Sequence, residues 1–337
     1  MSTDTSNKID MVYLWCDGND PEFIKRKAYF QSNGQVENIT KVTGDVRFWD
    51  NEELRYSLRS LEKYAPWVNH VYIITDRQVP KWLNTDYEKV TVIDHSQIMP
   101  KECIPCFNSN VIEYFLPYIP ALSEIFLYAN DDMFFCSSVS PSDFIDNDKP
   151  IIRLLPYNRE TGLKKYIKTI MRFIGLKYFR EDLNPVTKAY SLLKTEYAKV
   201  EALSIHHNID VYSKSAYLET LRKFDDEFKN TNMFRFRNKN CIHRIIFALD
   251  AIYSGKATYK LVKEFTGLSK MFVNLNKQEV FSYLGKEYHL NRLRKVIKNN
   301  NPKLFCLNAG EKATKEIKLE AKKFMEEMYP TASRFEK

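Results

Sequence analysis

Asp131 and Asp132 stand side by side after an apolar run, and paired carboxylates there are hard oxygen ligands for Mg²⁺ or Mn²⁺ in contact with a substrate's phosphates. The same pair also fits a plain turn with an N-capping Asp. His206-His207 opens a stretch without a helical cap signal, and an imidazole there can take a proton from a hydroxyl near neutral pH. A structural or solvated histidine is the competing reading. Phe234-Arg235-Phe236-Arg237 alternates with the strand period, which sets both arginines on one side, where their guanidinium forks could grip phosphate oxygens. An ordinary half-exposed edge would read the same way. Cys103-Ile104-Pro105-Cys106 has the spacing of half a zinc site, but no second Cys-x-x-Cys pair exists and the pair does not open a helix after the first strand. Structural zinc and a thioredoxin-like role are both disfavoured.

These residues need elements to hold them. Met11–Trp15 is a short apolar run ending in Cys16-Asp17-Gly18-Asn19-Asp20-Pro21, so it reads as a buried strand followed by a loop. Leu54, Leu58 and Leu61 predict a helix from Asn51 to about Tyr64, capped by Asp50 or Asn51 and stopped by Pro66. Strands follow at 70–75 and 90–94, a helix at 109–116, and a strand at 124–128 that runs straight into Asn130-Asp131-Asp132. Strand–helix alternation of this kind predicts an α/β fold: a Rossmann-like, mostly parallel sheet with helices on both faces. Ligands bind such sheets outside the carboxyl ends of the strands, where both the 17–21 loop and the 130–132 triplet fall. The alternation breaks after residue 150. Residues 1–150 are read as the α/β core, 151–205 as a basic helical insertion, and 206–337 as a mostly helical segment packed on the core.

At 337 residues, 44% hydrophobic and 28% charged, the chain can bury a full core. The most apolar run, 115–135, is broken by Ser123, Glu124, Asn130, Asp131 and Asp132, and falls short of the roughly 18 apolar residues a membrane helix needs. The polar N-terminus lacks the apolar core of a secretion signal, so the six cysteines are expected reduced in a cytoplasmic protein. The net charge is +8, with residues 151–200 holding 11 Lys/Arg against 4 Asp/Glu. An uneven basic surface suits an anionic substrate or a membrane surface, and no nucleic-acid motif is present. Within 161–180, Leu163, Ile167, Ile170 and Ile174 recur at helical spacing beside Lys164, Lys168 and Arg172. This basic amphipathic helix either packs on the core or docks peripherally on the inner face of the cell membrane.

Taken together, these blocks resemble the Stealth family of sugar-1-phosphate transferases, which also includes the animal lysosomal-enzyme N-acetylglucosamine-1-phosphotransferase. The first block is Ile9-Asp10-Met11-Val12-Tyr13-Leu14-Trp15-Cys16-Asp17-Gly18-Asn19-Asp20-Pro21. The second runs from Arg47 to Phe135 and includes residues 50–60, Pro66-Trp67, Thr75-Asp76, 80–83, Phe107-Asn108-Ser109 and Asn130-Asp131-Asp132. A third spans His206 or His207 to Arg237, and a fourth covers Phe305-Cys306-Leu307-Asn308 with the closing Pro330 and Ser333-Arg334-Phe335-Glu336. Where the family usually has Asp after the Asn of the fourth block, this chain has Ala309, which leaves Asn308 or Glu311 to substitute for it or the role absent.

The resemblance implies transfer of sugar-1-phosphate from a UDP-sugar to a hydroxyl of an acceptor sugar in cell-surface polysaccharide synthesis, with UMP released. It implies Mg²⁺, or Mn²⁺, on Asp132 and Asp131, with Asn130 shaping the site. His207 is implied as the base, with His206 the alternative register, and Arg237 as the phosphate clamp. Trp15, Asp17, Gly18 and Asp20 would line the uridine pocket, with Arg47, Glu53 and Arg59 completing it, Asn108 near the acceptor, and Asn308 as a further substrate contact. The expected partners are a UDP-sugar and a lipid-linked oligosaccharide acceptor. Two rivals remain: a metal-dependent glycosyltransferase that attacks the anomeric carbon and releases UDP, and a noncatalytic polysaccharide-binding protein suggested by 21 Tyr and 22 Phe.

Overall fold

The computed structural model describes residues 8–32, 50–156, 184–262, 264–266, 271–274, 279–284, 287–309 and 314–337. Five strands make the first sheet: β1 (Ile9–Leu14), β2 (Val71–Thr75), β3 (Val90–Asp94), β4 (Ile125–Asn130) and β9 (Asp210–Ser213), in the order β3-β2-β1-β4-β9. All neighbours are parallel except β9, which runs antiparallel to β4. This is the expected α/β sheet. The central strand is buried along almost its whole length, and its pleat sends alternate residues into different cores. Val12 joins the core on one face, and Ile9, Met11 and Tyr13 join the other.

Helix α1 (Pro21–Ser32) follows the first loop, and α2 (Glu53–Tyr64) buries Leu54, Leu58 and Leu61 at the predicted spacing. Each such leucine removed from water contributes roughly 1.5–3 kcal/mol. The start of α2 differs from the expected cap. Glu52 sits at φ 62° with no side-chain cap; Asp50 Oδ1 accepts from the Glu52 N–H, and Glu53 Oε2 accepts from the Asn51 N–H. Asp50 thus forms a local turn upstream of the helix. The helix expected at 109–116 is one α-turn, Ser109–Ile112, then a 3₁₀ segment, Glu113–Tyr118, because Pro117 removes a backbone donor.

The C-terminal half, expected to be mostly helical, also carries strands. It does hold α4 (Lys214–Lys223), α5 (Asp225–Thr231), α6 (Ile245–Tyr253), α7 (Glu287–Asn300) and α8 (Lys315–Met328), but strands lie between them. A second sheet has the order β11-β12-β13-β14-β5, built from β11 (Glu264–Thr266), β12 (Met271–Asn274), β13 (Glu279–Leu284), β14 (Leu304–Ala309) and β5 (Met133–Phe135). A third holds β7 (Lys149–Pro156), β6 (Ile145–Asp146), β8 (Leu203–Ile205) and β10 (Thr258–Leu261). Residue 150 therefore lies inside a strand, and strands from both sides of it share sheets. The amphipathic pattern at 161–180 lies outside the described residues. The segment beyond it includes α3 (Pro185–Glu196), capped by Asn184.

The pairing that matters for the site is β5 with β14, antiparallel with Cys306 opposite Met133. Phe134 stacks on Phe305 at 4.8 Å, with Tyr329 beyond Phe134 at 6.1 Å. On the other side, Ser57 of α2 donates to the Met133 carbonyl at 2.5 Å and Ser60 Oγ accepts from the Phe135 N–H at 3.0 Å. The short strand after Asp132 is therefore held from both sides.

Candidate active site

The carboxyl ends of β1 and β4 are in register, Leu14 opposite Asn130, so the loop 15–20 and the triplet 130–132 emerge side by side. Antiparallel β9 pairs Asp210 with Tyr128, and running that register backwards carries His207 to the level of the triplet. From the far side β14 brings in two side chains of one strand face. Asn308 Nδ2 donates to Asp132 Oδ2 at 3.0 Å, the Leu307 N–H donates to the Asp132 carbonyl at 2.8 Å, and Cys306 sits two residues before Asn308.

The paired aspartates join different groups. One ligand atom each from Asp132, His207 and Cys306 lie within 4.8 Å of one another, and so do those of Asp131, Asp50 and Glu53. Desolvation raises all four carboxyls, which gives Asp50 a pKa of about 6 and Glu53 one of about 8, Asp50's charge adding to the latter. Asp131 is pushed well above the carboxylate range by burial, then by Glu53, Asp132 and Asp50. Asp132 is raised by burial, and the Asn308 amide opposes the rise. His207 goes the other way, to about 3, because burial, and then the positive charges of Arg244 and Arg237, disfavour its protonated form. It is neutral at working pH, as a proton acceptor must be.

Arg237 Nη2 donates to Ser109 Oγ at 3.0 Å. The segment that carries it is not a strand but a run of bends, so the two arginines do not share a strand face. Arg235 turns instead to the Pro105 and Glu102 carbonyls, both at 2.9 Å, and lies over the Phe30 ring. Backbone groups near Cys103 and Cys106 thereby acquire a partner, while those thiols stay free and buried.

Several expected substrate contacts are placed otherwise. Asn108 is fully buried and donates from Nδ2 to the Phe234 and Phe236 carbonyls at 2.9 and 3.0 Å, so it shapes the Arg237 loop rather than meeting an acceptor. Arg59 donates to both Glu336 carboxylate oxygens at 2.7 Å and to the Tyr329 carbonyl at 2.8 Å, which commits its guanidinium to anchoring the 329–336 segment. Trp15 is 7% exposed and packs in the core, which leaves little ring face for stacking. Asp20 Oδ1 accepts from the Phe23 N–H and starts α1, and Asp17 Oδ1 accepts from the Asn19 N–H across the turn holding Gly18. His206 is 2% exposed. Arg47 lies outside the described residues.

The residue reading also missed partners. Glu53, expected to complete the uridine pocket, is grouped with Asp131, and Asp50 joins them from the turn before α2, which the left-handed Glu52 sets apart from the helix and no helical spacing anticipates. Cys306, and the buried Arg244 that bridges Asp210 at 3.0 Å and Glu113 at 3.3 Å behind Tyr128, carry no local signal. The Tyr128 hydroxyl lies 2.9 Å from Glu113 Oε1 and 3.3 Å from Asn130 Oδ1, so this network reaches the triplet.

Two family models match, Stealth protein conserved region 1 over residues 7–35 and conserved region 2 over 47–152. An exopolysaccharide phosphotransferase from Lactiplantibacillus plantarum, cps2G, is 31% identical over 325 residues, covering 89% of this chain and 87% of that one. The chain belongs to the Stealth family of phosphotransferases. A capsular polysaccharide phosphotransferase of Actinobacillus pleuropneumoniae, cps1A, is 33% identical over 75% of this chain and 68% of its own. WcwK, a capsular polysaccharide phosphotransferase of Streptococcus pneumoniae, is 29% identical over 98% of both. Among solved structures, the galactosyltransferase LgtC with donor and acceptor sugar analogues aligns at TM-score 0.43 and 9% identity, covering 96% of each chain. The Stealth regions contain the 15–20 loop, Asp50, Glu53 and the 130–132 triplet, while His207, Arg237, Cys306 and Asn308 lie beyond them. Among the described residues no helix is long and apolar enough to cross a membrane.

Proposed function

We propose that the chain moves sugar-1-phosphate from a UDP-sugar to a hydroxyl of an acceptor sugar in the synthesis of a cell-surface polysaccharide. The acceptor oxygen bonds to the sugar-side phosphorus, the P–O bond to the uridylate side breaks, and UMP leaves with that electron pair. The observation that carries the reading is the meeting of a neutral imidazole, His207, with the Asp132 carboxylate at the carboxyl ends of β1 and β4, Arg237 close enough to depress the imidazole's pKa. His207 takes the hydroxyl proton. Arg237, presented by the Asn108-held loop, meets the phosphate oxygens as a guanidinium fork.

The residues fit a hard divalent cation. Asp132 Oδ1 is buried and has no hydrogen-bond partner among the described residues, and Asn308 keeps its amide oxygen once Nδ2 is committed to Oδ2. Asp132 and Asn308, with Asp131 adjoining, would hold Mg²⁺ or Mn²⁺, which when bound neutralises charge on the pyrophosphate. A dication would also favour the ionised forms of carboxyls that burial keeps protonated. Asn130, tied through Tyr128 to Glu113 and Arg244, orients the triplet. The loop 15–20 faces the same edge and is proposed to bound the donor. The acceptor is proposed to be an oligosaccharide on a lipid carrier, met at the inner face of the membrane.

The test is the leaving nucleotide. With a UDP-sugar, a short acceptor and Mg²⁺, the expected products are UMP and an acceptor heavier by sugar plus phosphate, read by mass. UDP with a phosphate-free product would overturn phosphotransfer in favour of attack at the anomeric carbon.

A further inference from the structure

We propose that Asp132, His207 and Cys306 form a binding site for a thiophilic divalent cation of the zinc class, and that such an ion shuts the active site by occupying it. The three ligands come from three places: the end of β4, the loop before β9, and β14. Their ligand atoms lie within 4.8 Å of one another. Zinc bonds of about 2.0–2.3 Å in a tetrahedral arrangement set neighbouring ligand atoms about 3.3–3.8 Å apart, so closure needs side-chain shifts of about 1 Å.

The donor types discriminate. A thiolate and an imidazole are ligands that Mg²⁺ seldom takes and that zinc prefers, while the carboxylate serves either ion. Most buried cysteines act as small apolar fillers. Cys306 differs because strand alternation puts it on the same face of β14 as Asn308, the residue bonded to Asp132, and the Leu307 N–H to Asp132 carbonyl bond fixes that register. Three protein ligands leave a fourth position for water, the pattern of an accessible rather than a structural zinc site. Asp132 is common to both ions, so binding is mutually exclusive with Mg²⁺. The loss of turnover rests on the phosphotransfer reading; the ion binding does not.

Metal-free full-length protein is titrated with Co²⁺ as the spectroscopic probe. One equivalent is expected to produce a thiolate-to-cobalt charge-transfer band and the intense visible bands of tetrahedral cobalt, both erased by Zn²⁺. Excess Mg²⁺ is expected to raise the half-saturating Co²⁺ concentration. The charge-transfer band is expected to vanish in Cys306→Ser and to persist in Cys16→Ser and Cys103→Ser, with thermal unfolding reporting that each variant is folded. His207→Gln is expected to weaken Co²⁺ binding more than about tenfold, since losing a ligand exceeds the ~10–100-fold effect of losing an outer partner at its lower end. If Cys306→Ser does not fold, His207→Gln decides. No charge-transfer band, a band that survives in folded Cys306→Ser, or unchanged affinity in His207→Gln overturns the site. Release of UDP instead of UMP would overturn the phosphotransfer reading and leave the cobalt spectrum untouched.

Discussion

Glu336→Gln separates an anchoring role for Arg59 from a substrate-binding one. Glu336 is the next-to-last residue, yet its side chain is 2% exposed, and its carboxylate accepts from Arg55 Nε at 2.5 Å, from Arg59 Nε and Nη2 at 2.7 Å each, and from the Ser333 N–H at 2.9 Å. Burial alone would raise its pKa, but the Arg59, Ser333 and Arg55 hydrogen bonds prevail and lower it from 4.5 to about 2. At 1.36 kcal/mol per unit, that shift corresponds to about 3 kcal/mol of native-state preference for the charged form. Arg55 is 31% exposed, so water screens part of the attraction, and about 2 kcal/mol is the expected stability loss for the amide at pH 7. The folded-state pKa is depressed, so this stabilisation is present above the unfolded value near 4.5 and fades as pH falls through about 2. Urea unfolding of wild type and variant at a series of pH values should show a gap that is constant from pH 7 to 5 and then narrows. KM for the donor should stay unchanged. A gap below about 0.5 kcal/mol at pH 7, one that ignores pH, or a raised KM would refute the reasoning.

The site readings make further predictions. His207→Ala should lower turnover about 10²-fold or more as a base is lost, and His206→Ala, at a buried position, should cost stability more than rate; the reverse ranking would move the base by one residue. Arg237→Ala should lower turnover by a similar factor, whereas Arg235→Ala, which loses two carbonyl contacts, should mainly lower the melting temperature. Chelation should abolish turnover and added Mg²⁺ restore it, and full activity in EDTA would remove the metal role of Asp132. Asn108→Ala should reduce kcat more than it raises acceptor KM because it frees the Arg237 loop, and a selective KM effect would return Asn108 to the acceptor site.

What the sequence determined by itself is the order of local signals. A short apolar strand followed by a dense turn, a leucine-spaced helix, and a strand ending in Asn130-Asp131-Asp132 are written within windows of a dozen residues. Parallel strands with short loops put those loop residues at one edge, so the site's position followed from the pattern. What tertiary structure alone decided is which side chains meet there. Asn308 reaches Asp132 across 176 residues, and Asn108 reaches the 234–236 loop across more than 120. The strands from 264 to 309 are short and their periodicity is weak, and the sheet they form is joined to the rest of the fold by β14 pairing with the edge that β5 offers. Asp131 and Asp132, identical and adjacent, were indistinguishable as residues. Separate neighbours made them different, Asp50 and Glu53 for one and His207, Cys306 and Asn308 for the other, because a pKa and a ligand set belong to a surrounding that only the folded chain assembles.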